Sequence, residues 1–271
     1  MNENTLSEIP KLIEYGVPSF KVYTTYDALR IDDGKILSVM HQCSLNGGLV
    51  GVHCENKDIN ARFEEEYRRA GSGDARHTSA SHPAFSEAEA VQRASILAEH
   101  ASCPMYVVQI STELGLEQVR AARRRGVSVF AETCPHYLTL TDEVYSRPNA
   151  VDYRVSPPIR TKQDRDALWQ GIRSGEVKTI GSDHVCFSHK QKELGMEGFS
   201  RAPPGLSGIE VLLTLMYSQG VSTGAIDANK LVQITSTNTA RLFGLYPQKG
   251  TIQVGSDADL VVFDPGMKGS G

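Results

Sequence analysis

The sequence predicts an α/β fold built on a parallel β-sheet, and two observations lead to this prediction. Five short runs rich in β-branched and aromatic residues alternate with amphipathic segments that are long enough to form helices. The runs are apolar on both faces, as expected for strands that are covered by helices. Strands separated by helical segments of this length form βαβ units, in which the strands run parallel.

Each element can be assigned in chain order from its residue pattern. The strands are predicted at 18–24, 49–53, 104–111, 127–133 and 177–183. The helices are predicted at 33–46, 56–71, 86–101, 111–126, 163–174, 207–219, 227–234 and 236–244. In the helix that starts at Ser86, Glu89 follows three residues later, which predicts a capping box.

The end of the chain follows a different pattern. Residues 249–265 predict two short strands around a glycine-containing turn, with no helix between them. Such a pair is typical of an antiparallel sheet. We therefore divide the chain into a larger α/β part, residues 1–248, and a β-rich fragment, residues 249–271.

Composition and charge argue against several classes of protein. The 271 residues carry a net charge of −4 and no basic run, so we expect no nucleic-acid partner. No apolar stretch is long enough for a transmembrane helix, and the first residues lack the pattern of a secretion signal. The five cysteines are widely spaced and form no CxxC pair, so we expect thiols in a reducing cytoplasm.

Polar side chains stand at the carboxyl ends of the predicted strands, where α/β folds place reactive residues. They are Lys21, Tyr26, His53, Gln109, Glu132, Cys134, His136, Tyr137, Asp183 and His184. A lysine, a histidine and an aspartate on three parallel strands indicate a metal site, because their donors would converge on one point. The alternative is a buried lysine that pairs with Asp183, since a buried ammonium group needs a partner. The residues by themselves leave both interpretations open.

The other histidines receive structural interpretations. We expect His136 to pack in the loop after the fourth strand, and His184 to orient Asp183 or to face the mouth of a pocket. His77 and His82 fall in a polar loop with the composition of a mobile segment.

Several motifs, in this order, resemble the hydantoinase/dihydropyrimidinase family of cyclic amidohydrolases. They are SFKVYTTY (19–26), VHCEN (52–56), AETCPHYLTL (131–140), SPPIRTKQDRDALW (156–169), GSDH (181–184), PPGLSGIE (203–210) and the run from TNTARLFGLY to FDP (237–265). The resemblance implies a partial TIM (β/α)8 barrel, strands 4–8 of the metal-dependent hydrolase barrel. It also implies a short β-sandwich remnant at the C-terminus and a chain truncated at both ends relative to the family.

The resemblance implies a role for each matching residue. Lys21 matches a carboxylated lysine that bridges two divalent metals, expected to be zinc, with His53 on one metal and Asp183 on the other. Asp183 also relays a proton, Tyr26 donates a hydrogen bond to the developing oxyanion, and Ser156 contacts the substrate largely through its backbone. The implied reaction opens a hydantoin or dihydropyrimidine ring at a C–N bond. The implied assembly is a homotetramer that binds a small cyclic amide.

The sequence departs from the family pattern in three places. It contains no HxH pair, which the family's first strand supplies to a metal. Gln109 stands where the family has a metal-binding histidine, and an amide oxygen is a weaker neutral ligand than imidazole. Pro204 stands where the family has a substrate-contacting asparagine, and it offers no side-chain donor. We therefore expect the activity of this chain alone to be impaired.

These departures leave alternatives open. One is a non-catalytic scaffold or assembly protein, or an inactive fragment, with the same fold. Another is an allantoinase, since allantoinases share the ETCPHYLTL motif. A doubly wound binding domain would need a glycine-rich phosphate loop between a strand and a helix, and the sequence shows none.

Overall fold

The computed structural model describes residues 3–266 and confirms the predicted parallel sheet. Its strands are β1 (Ser19–Tyr23), β2 (Leu49–His53), β3 (Met105–Val108), β4 (Val129–Thr133) and β5 (Val177–Ile180). They are hydrogen-bonded in sequence order, and every neighbouring pair is parallel. This order arises because a helical crossover after each strand returns the chain to the adjacent position.

Helices connect the strands and pack against the sheet. They are α1 (Glu3–Glu14), α2 (Asp33–Asn46), α3 (Lys57–Arg69), α4 (Thr78–Ser81), α5 (Ala84–His100), α6 (Glu113–Arg124), α7 (Pro135–Thr139), α8 (Lys162–Ser174), α9 (His189–Lys192), α10 (Leu212–Met216), α11 (Ala228–Val232) and α12 (Asn238–Leu242). The predicted helices 33–46 and 163–174 are confirmed almost residue for residue. Both have the caps that fix helix ends, such as the Thr161–Asp164 capping box at the start of α8.

Each face of the sheet carries its own apolar cluster. The larger cluster joins strand residues such as Val50 and Val107 to helix residues such as Met40 and Leu116. Burial of each such side chain contributes roughly 1.5–3 kcal/mol. The smaller cluster consists of Leu49, Tyr106 and Val108, and it is covered by partly buried side chains that include Leu242 and Phe243. The C-terminal helix α12 thus reaches the face of the sheet that the other cluster leaves uncovered.

The helix predicted from Ser86 begins two residues earlier, so the predicted capping box is wrong. α5 starts at Ala84 after Pro83, and no side chain caps it. Ser86 and Glu89 instead bind Asn56: the Ser86 hydroxyl contacts the Asn56 backbone, and Glu89 accepts from the Asn56 side-chain amide at 2.7 Å. This tertiary contact uses the groups that the local pattern assigned to a cap.

The last third of the chain differs most from the prediction. α10 begins at Leu212 rather than at 207, and α11 and α12 are joined by a π-helical turn, Gln233–Thr237, into one helical run. The two strands predicted within 249–265 are not formed. The described residues there are turns, bends and irregular chain. A strand needs a hydrogen-bonded neighbour, and an isolated hairpin is marginal. The division at residue 248 stays a prediction.

Candidate metal and active site

The predicted metal-binding residues lie on the strands or just after them, and all but Lys21 are at the carboxyl edge of the sheet. Lys21 lies in the middle of β1 opposite Gly51, and His53 is the last residue of β2. Gln109 follows β3 directly, and Asp183 lies shortly after β5. Neighbouring parallel strands bring these positions together, although they are far apart in the sequence.

A cavity of about 330 Å³ holds part of this set. Lys21, Gln109, Glu132 and Asp183 line it together with apolar side chains such as Phe243. No salt bridge joins Lys21 to Asp183 among the described residues, so the simple ion pair considered from sequence is not formed. The cavity therefore presents one amine, one amide and two carboxyl groups to a bound molecule.

His53 is buried, and both of its ring nitrogens contact side-chain oxygens. Nδ1 lies 2.8 Å from Oε1 of Gln109, and Nε2 lies 2.9 Å from Oε2 of Glu55. Gln109 and Asp183 line the same cavity. Gln109 thus contacts one of the two residues that the family resemblance assigns to metals and shares a cavity with the other.

The carboxyl groups in the cavity are harder to ionise than free ones. Burial raises the pKa of Asp183, and the charges of Lys21 and His53 offset this only in part. Burial likewise raises the pKa of Glu132, which accepts a hydrogen bond from the Tyr106 hydroxyl at 2.8 Å. A cation bound in the cavity would stabilise both carboxylates.

Tyr26 and Ser156 lie on the other side of His53. The Tyr26 ring centroid is 5.2 Å from that of His53. Burial, followed by the charge of Glu55, raises the pKa of Tyr26, so the phenol keeps its proton at neutral pH. The Ser156 hydroxyl donates to Oε2 of Glu55 at 2.6 Å.

Backbone conformation marks the same residues. Tyr26, Gln109 and Asp183 have φ values of 65°, 58° and 44°, and Ser102 is the one other non-glycine residue of the described chain with positive φ. This conformation costs about 1–3 kcal/mol for most residues with a side chain, and it clusters at functional sites. Three residues chosen for their chemistry are therefore also three of the four strained positions.

Three other predicted residues do not line the cavity. Pro204 does not line it, and the next residue, Gly205, donates its backbone N–H to the Arg154 carbonyl. His184 does not orient Asp183: its Nδ1 accepts from the backbone N–H of Gly208 at 3.2 Å. His136 packs against Tyr137 after β4, with ring centroids 4.2 Å apart.

Glu55 and His82 are the site residues that the sequence analysis missed. Glu55 has no exposed surface, and His82 is buried and hydrogen-bonded to it rather than part of an exposed loop. Glu55 follows His53 by two residues, and alternate residues of an extended chain share a face. This spacing within VHCEN was the available sequence signal for Glu55, whereas His82 has no comparable signal.

A divalent metal at this site would need donors besides histidine, cysteine and carboxylate side chains. Among the described residues, no group of three or more His, Cys, Asp or Glu side chains could hold a metal ion. Here, however, His53 and Asp183 are supplemented by Gln109 and Lys21, and lysine becomes an oxygen ligand when it is carboxylated. A mixed set of nitrogen and oxygen donors suits zinc and similar dications.

Comparisons with known proteins agree with the sequence resemblance. The amidohydrolase family pattern matches residues 25–270. D-phenylhydantoinase from Escherichia coli O81 (strain ED1a) is 40% identical over 267 residues, which are 98% of this chain and 58% of that protein. The chain thus spans less than two thirds of the length of this relative.

Solved structures give the same result. Dihydropyrimidinase from Brevibacillus agri NCHU1002 matches with a TM-score of 0.92 and 37% identity, over 95% of this chain and 57% of that one. D-hydantoinase (dihydropyrimidinase) from Thermus sp. matches with a TM-score of 0.94 and 35% identity, over 98% and 58%. These matches confirm the predicted resemblance and the partial barrel. Separately, no helix in residues 3–266 has the length and apolarity needed to cross a membrane.

Proposed function

The chain belongs to the amidohydrolase family, and we propose that it contributes to the metal-dependent hydrolysis of a C–N bond in a cyclic amide or imide. The substrates we propose are hydantoin or dihydropyrimidine rings, because the similar proteins are named for them. The observation that carries the proposal is the cavity shared by Lys21, Gln109 and Asp183, with His53 bound to Gln109.

The amidohydrolase family is metal-dependent, and we propose two zinc ions for this chain. Carboxylated Lys21 would bridge them, His53 would hold one and Asp183 the other, and the Gln109 amide oxygen would replace a histidine. When bound, such ions supply Lewis acidity that polarises a ring carbonyl and makes water nucleophilic at neutral pH.

The chain's own residues supply the remaining chemistry. Tyr26, whose burial keeps the phenol protonated, would donate a hydrogen bond to the oxygen of the attacked carbonyl. Asp183 takes a proton from the attacking water and returns it to the leaving ring nitrogen. Ser156 contacts the ring through its backbone, because its hydroxyl is committed to Glu55. Pro204 supplies no donor to the ring.

Two finer proposals concern assembly and location. We expect a homotetramer, as the resemblance implies, and a reducing cytoplasm. The support for the second is that all five cysteines are free thiols and four of them are buried.

A non-catalytic scaffold is the second candidate function, and Gln109 is the observation that favours it. Its Oε1 already lies 2.8 Å from Nδ1 of His53. A metal on that nitrogen must therefore displace this amide or recruit its oxygen as a ligand.

Metal content separates the two functions. We expect mass spectrometry of the purified chain, after growth with zinc and bicarbonate, to find about two zinc ions per chain. Lys21→Ala should lose them, and the exposed control Lys11→Ala should keep them. Gln109→His should tighten zinc binding by about tenfold or more, because imidazole is the better ligand.

Activity then tests the reaction itself. The zinc-loaded chain should open hydantoin or dihydrouracil, and Gln109→His should do so faster. Absence of metal from both the wild type and Gln109→His would overturn the hydrolase proposal and leave the scaffold.

A further inference from the structure

A fully buried carboxylate lies directly behind His53. Glu55 accepts hydrogen bonds from four side chains: His53 Nε2 at 2.9 Å and Ser156 Oγ at 2.6 Å on Oε2, and His82 Nδ1 at 2.9 Å and Asn60 Nδ2 at 3.2 Å on Oε1. The four partners come from four separate segments of the chain: β2, α3 and two loops. Glu55 is therefore the point at which the loops around the site are joined.

His82 supplies the charge that balances Glu55. Its Nε2 lies 2.9 Å from Oε1 of Glu64, so the ring is flanked by a carboxylate on each side. Burial alone would lower the pKa of His82, but Glu55 and Glu64 outweigh burial and raise it. The result is a row of hydrogen-bonded side chains that runs from Glu64, which is partly exposed, through His82 and Glu55 to His53.

These hydrogen bonds decide which ring nitrogen of His53 faces Gln109. Because Nε2 is held by Glu55, Nδ1 is the nitrogen directed at Gln109. A histidine that binds a metal through one nitrogen is commonly fixed by a carboxylate at the other, and loss of that partner weakens metal binding. The same oxygen of Glu55 also holds the hydroxyl of Ser156.

We propose that Glu55, supported by His82, is a positioning residue that fixes His53 with Nδ1 facing Gln109 and holds Ser156 against the same carboxylate oxygen. One buried carboxylate thereby sets both the metal-facing and the substrate-facing residue. The part of the inference that concerns metal and substrate rests on the proposed function, whereas the orientation of the imidazole does not.

Glu55→Gln is the primary test, because it keeps the shape of the side chain and removes its charge. We would record NMR spectra of metal-free protein labelled with ¹⁵N-histidine, and assign His53 by its loss in His53→Gln. We expect a downfield, slowly exchanging Nε2–H signal for His53 in the wild type, because its hydrogen bond is charge-assisted. In Glu55→Gln this signal should move upfield or disappear.

Zinc affinity is the second readout, measured by competition with a chromophoric chelator. Glu55→Gln should raise the zinc Kd by about 10- to 100-fold. His82→Gln should change both readouts in the same direction by a smaller amount. Glu65→Gln, which alters a partly exposed carboxylate on the same helix as Glu64, should change neither.

The outcomes separate this inference from the proposed function. An unchanged His53 signal and a zinc Kd within about twofold of wild type in Glu55→Gln would overturn the positioning role. If Glu55→Gln does not fold, His82→Gln decides by the same two readouts. If the wild type binds no zinc, the proposed function fails, and the NMR signal of metal-free His53 still decides whether Glu55 positions it.

Discussion

The two sides of the candidate site satisfy their buried polar groups in opposite ways. On one side, Glu55 receives four hydrogen bonds and lies next to the buried His82. On the other side, Glu132 and Asp183 share a cavity with a single lysine, and burial raises the pKa of both carboxyl groups. The first side is organised by the protein's own donors, whereas the second has too little positive charge for its carboxylates. The fold thus fixes the positioning residues firmly and leaves the cavity residues suited to a cation.

The largest expected effect comes from replacing a buried glutamate by leucine, and we compare this replacement on the two sides of the site. Glu55→Leu should lower the free energy of unfolding by about 3–5 kcal/mol, because it leaves two buried histidines and two other donors without their acceptor. Glu132→Leu should cost less than about 1 kcal/mol, because burial already disfavours its charge and Tyr106 keeps Thr179 as a partner.

Urea unfolding followed by circular dichroism measures both values. Equal losses in the two variants would show that the two sides do not differ in the way described. A loss below 1 kcal/mol in Glu55→Leu would mean that its hydrogen bonds contribute little.

The sequence predicted one side of this comparison far better than the other. Apolar runs and helix periodicity predicted the order of strands and helices, because these patterns are local. Strand-end chemistry and the resemblance selected Lys21, His53, Gln109 and Asp183, which lie on strands of the sheet or shortly after them. Their roles stay proposals.

The other side depends on contacts that local patterns do not encode. His82 lies 27 residues after Glu55, in a segment whose composition suggests a mobile loop, and only the packing of α3 and α5 brings the two together. The capping box predicted at Ser86 is wrong for the same reason, since the Ser86 hydroxyl hydrogen-bonds the Asn56 backbone rather than its own helix. The tail strands fail because β propensity forms a strand only beside a partner strand.

A second comparison is between two buried histidines: His82, whose ring nitrogens have hydrogen-bond partners, and His136, which has an unpartnered ring nitrogen among the described residues. Nε2 of His136 has no hydrogen-bond partner among the described residues, and burial lowers the pKa of His136 to about 3. The unfolded chain takes up a proton below about pH 6.5 and the folded chain does not, so stability falls as the pH falls from 6.5 towards 3. We expect this to cost about 2–3 kcal/mol at pH 4.5 relative to pH 7.

His136→Phe should remove that share of the acid sensitivity, and the exposed His41→Phe should not. The difference in unfolding free energy between variant and wild type, measured from pH 7 to 4.5, checks this. His82 contributes with the opposite sign: its raised pKa gives stability that is present below about pH 6.5 and lost as the pH rises through the folded value. Identical pH profiles for wild type and His136→Phe would contradict the assignment.

The smallest expected effect probes how rigid the cavity side is. A Cβ atom on Gly181 would lie 2.4 Å from Oε2 of Glu132, whereas one on Gly73 would meet nothing within 4 Å. Gly181→Ala should therefore cost about 1–2 kcal/mol, and Gly73→Ala should stay within about 0.5 kcal/mol of wild type. If the clash with Glu132 is the cause, Gly181→Ala should cost almost nothing in a Glu132→Ala background, which a double-mutant cycle measures. A cost that persists in that background would place the strain in the backbone after β5, and a cost near zero in the wild type would show that Glu132 swings freely. Only a rigid Glu132 gives the cavity two carboxyl groups at fixed positions, as a bound cation requires.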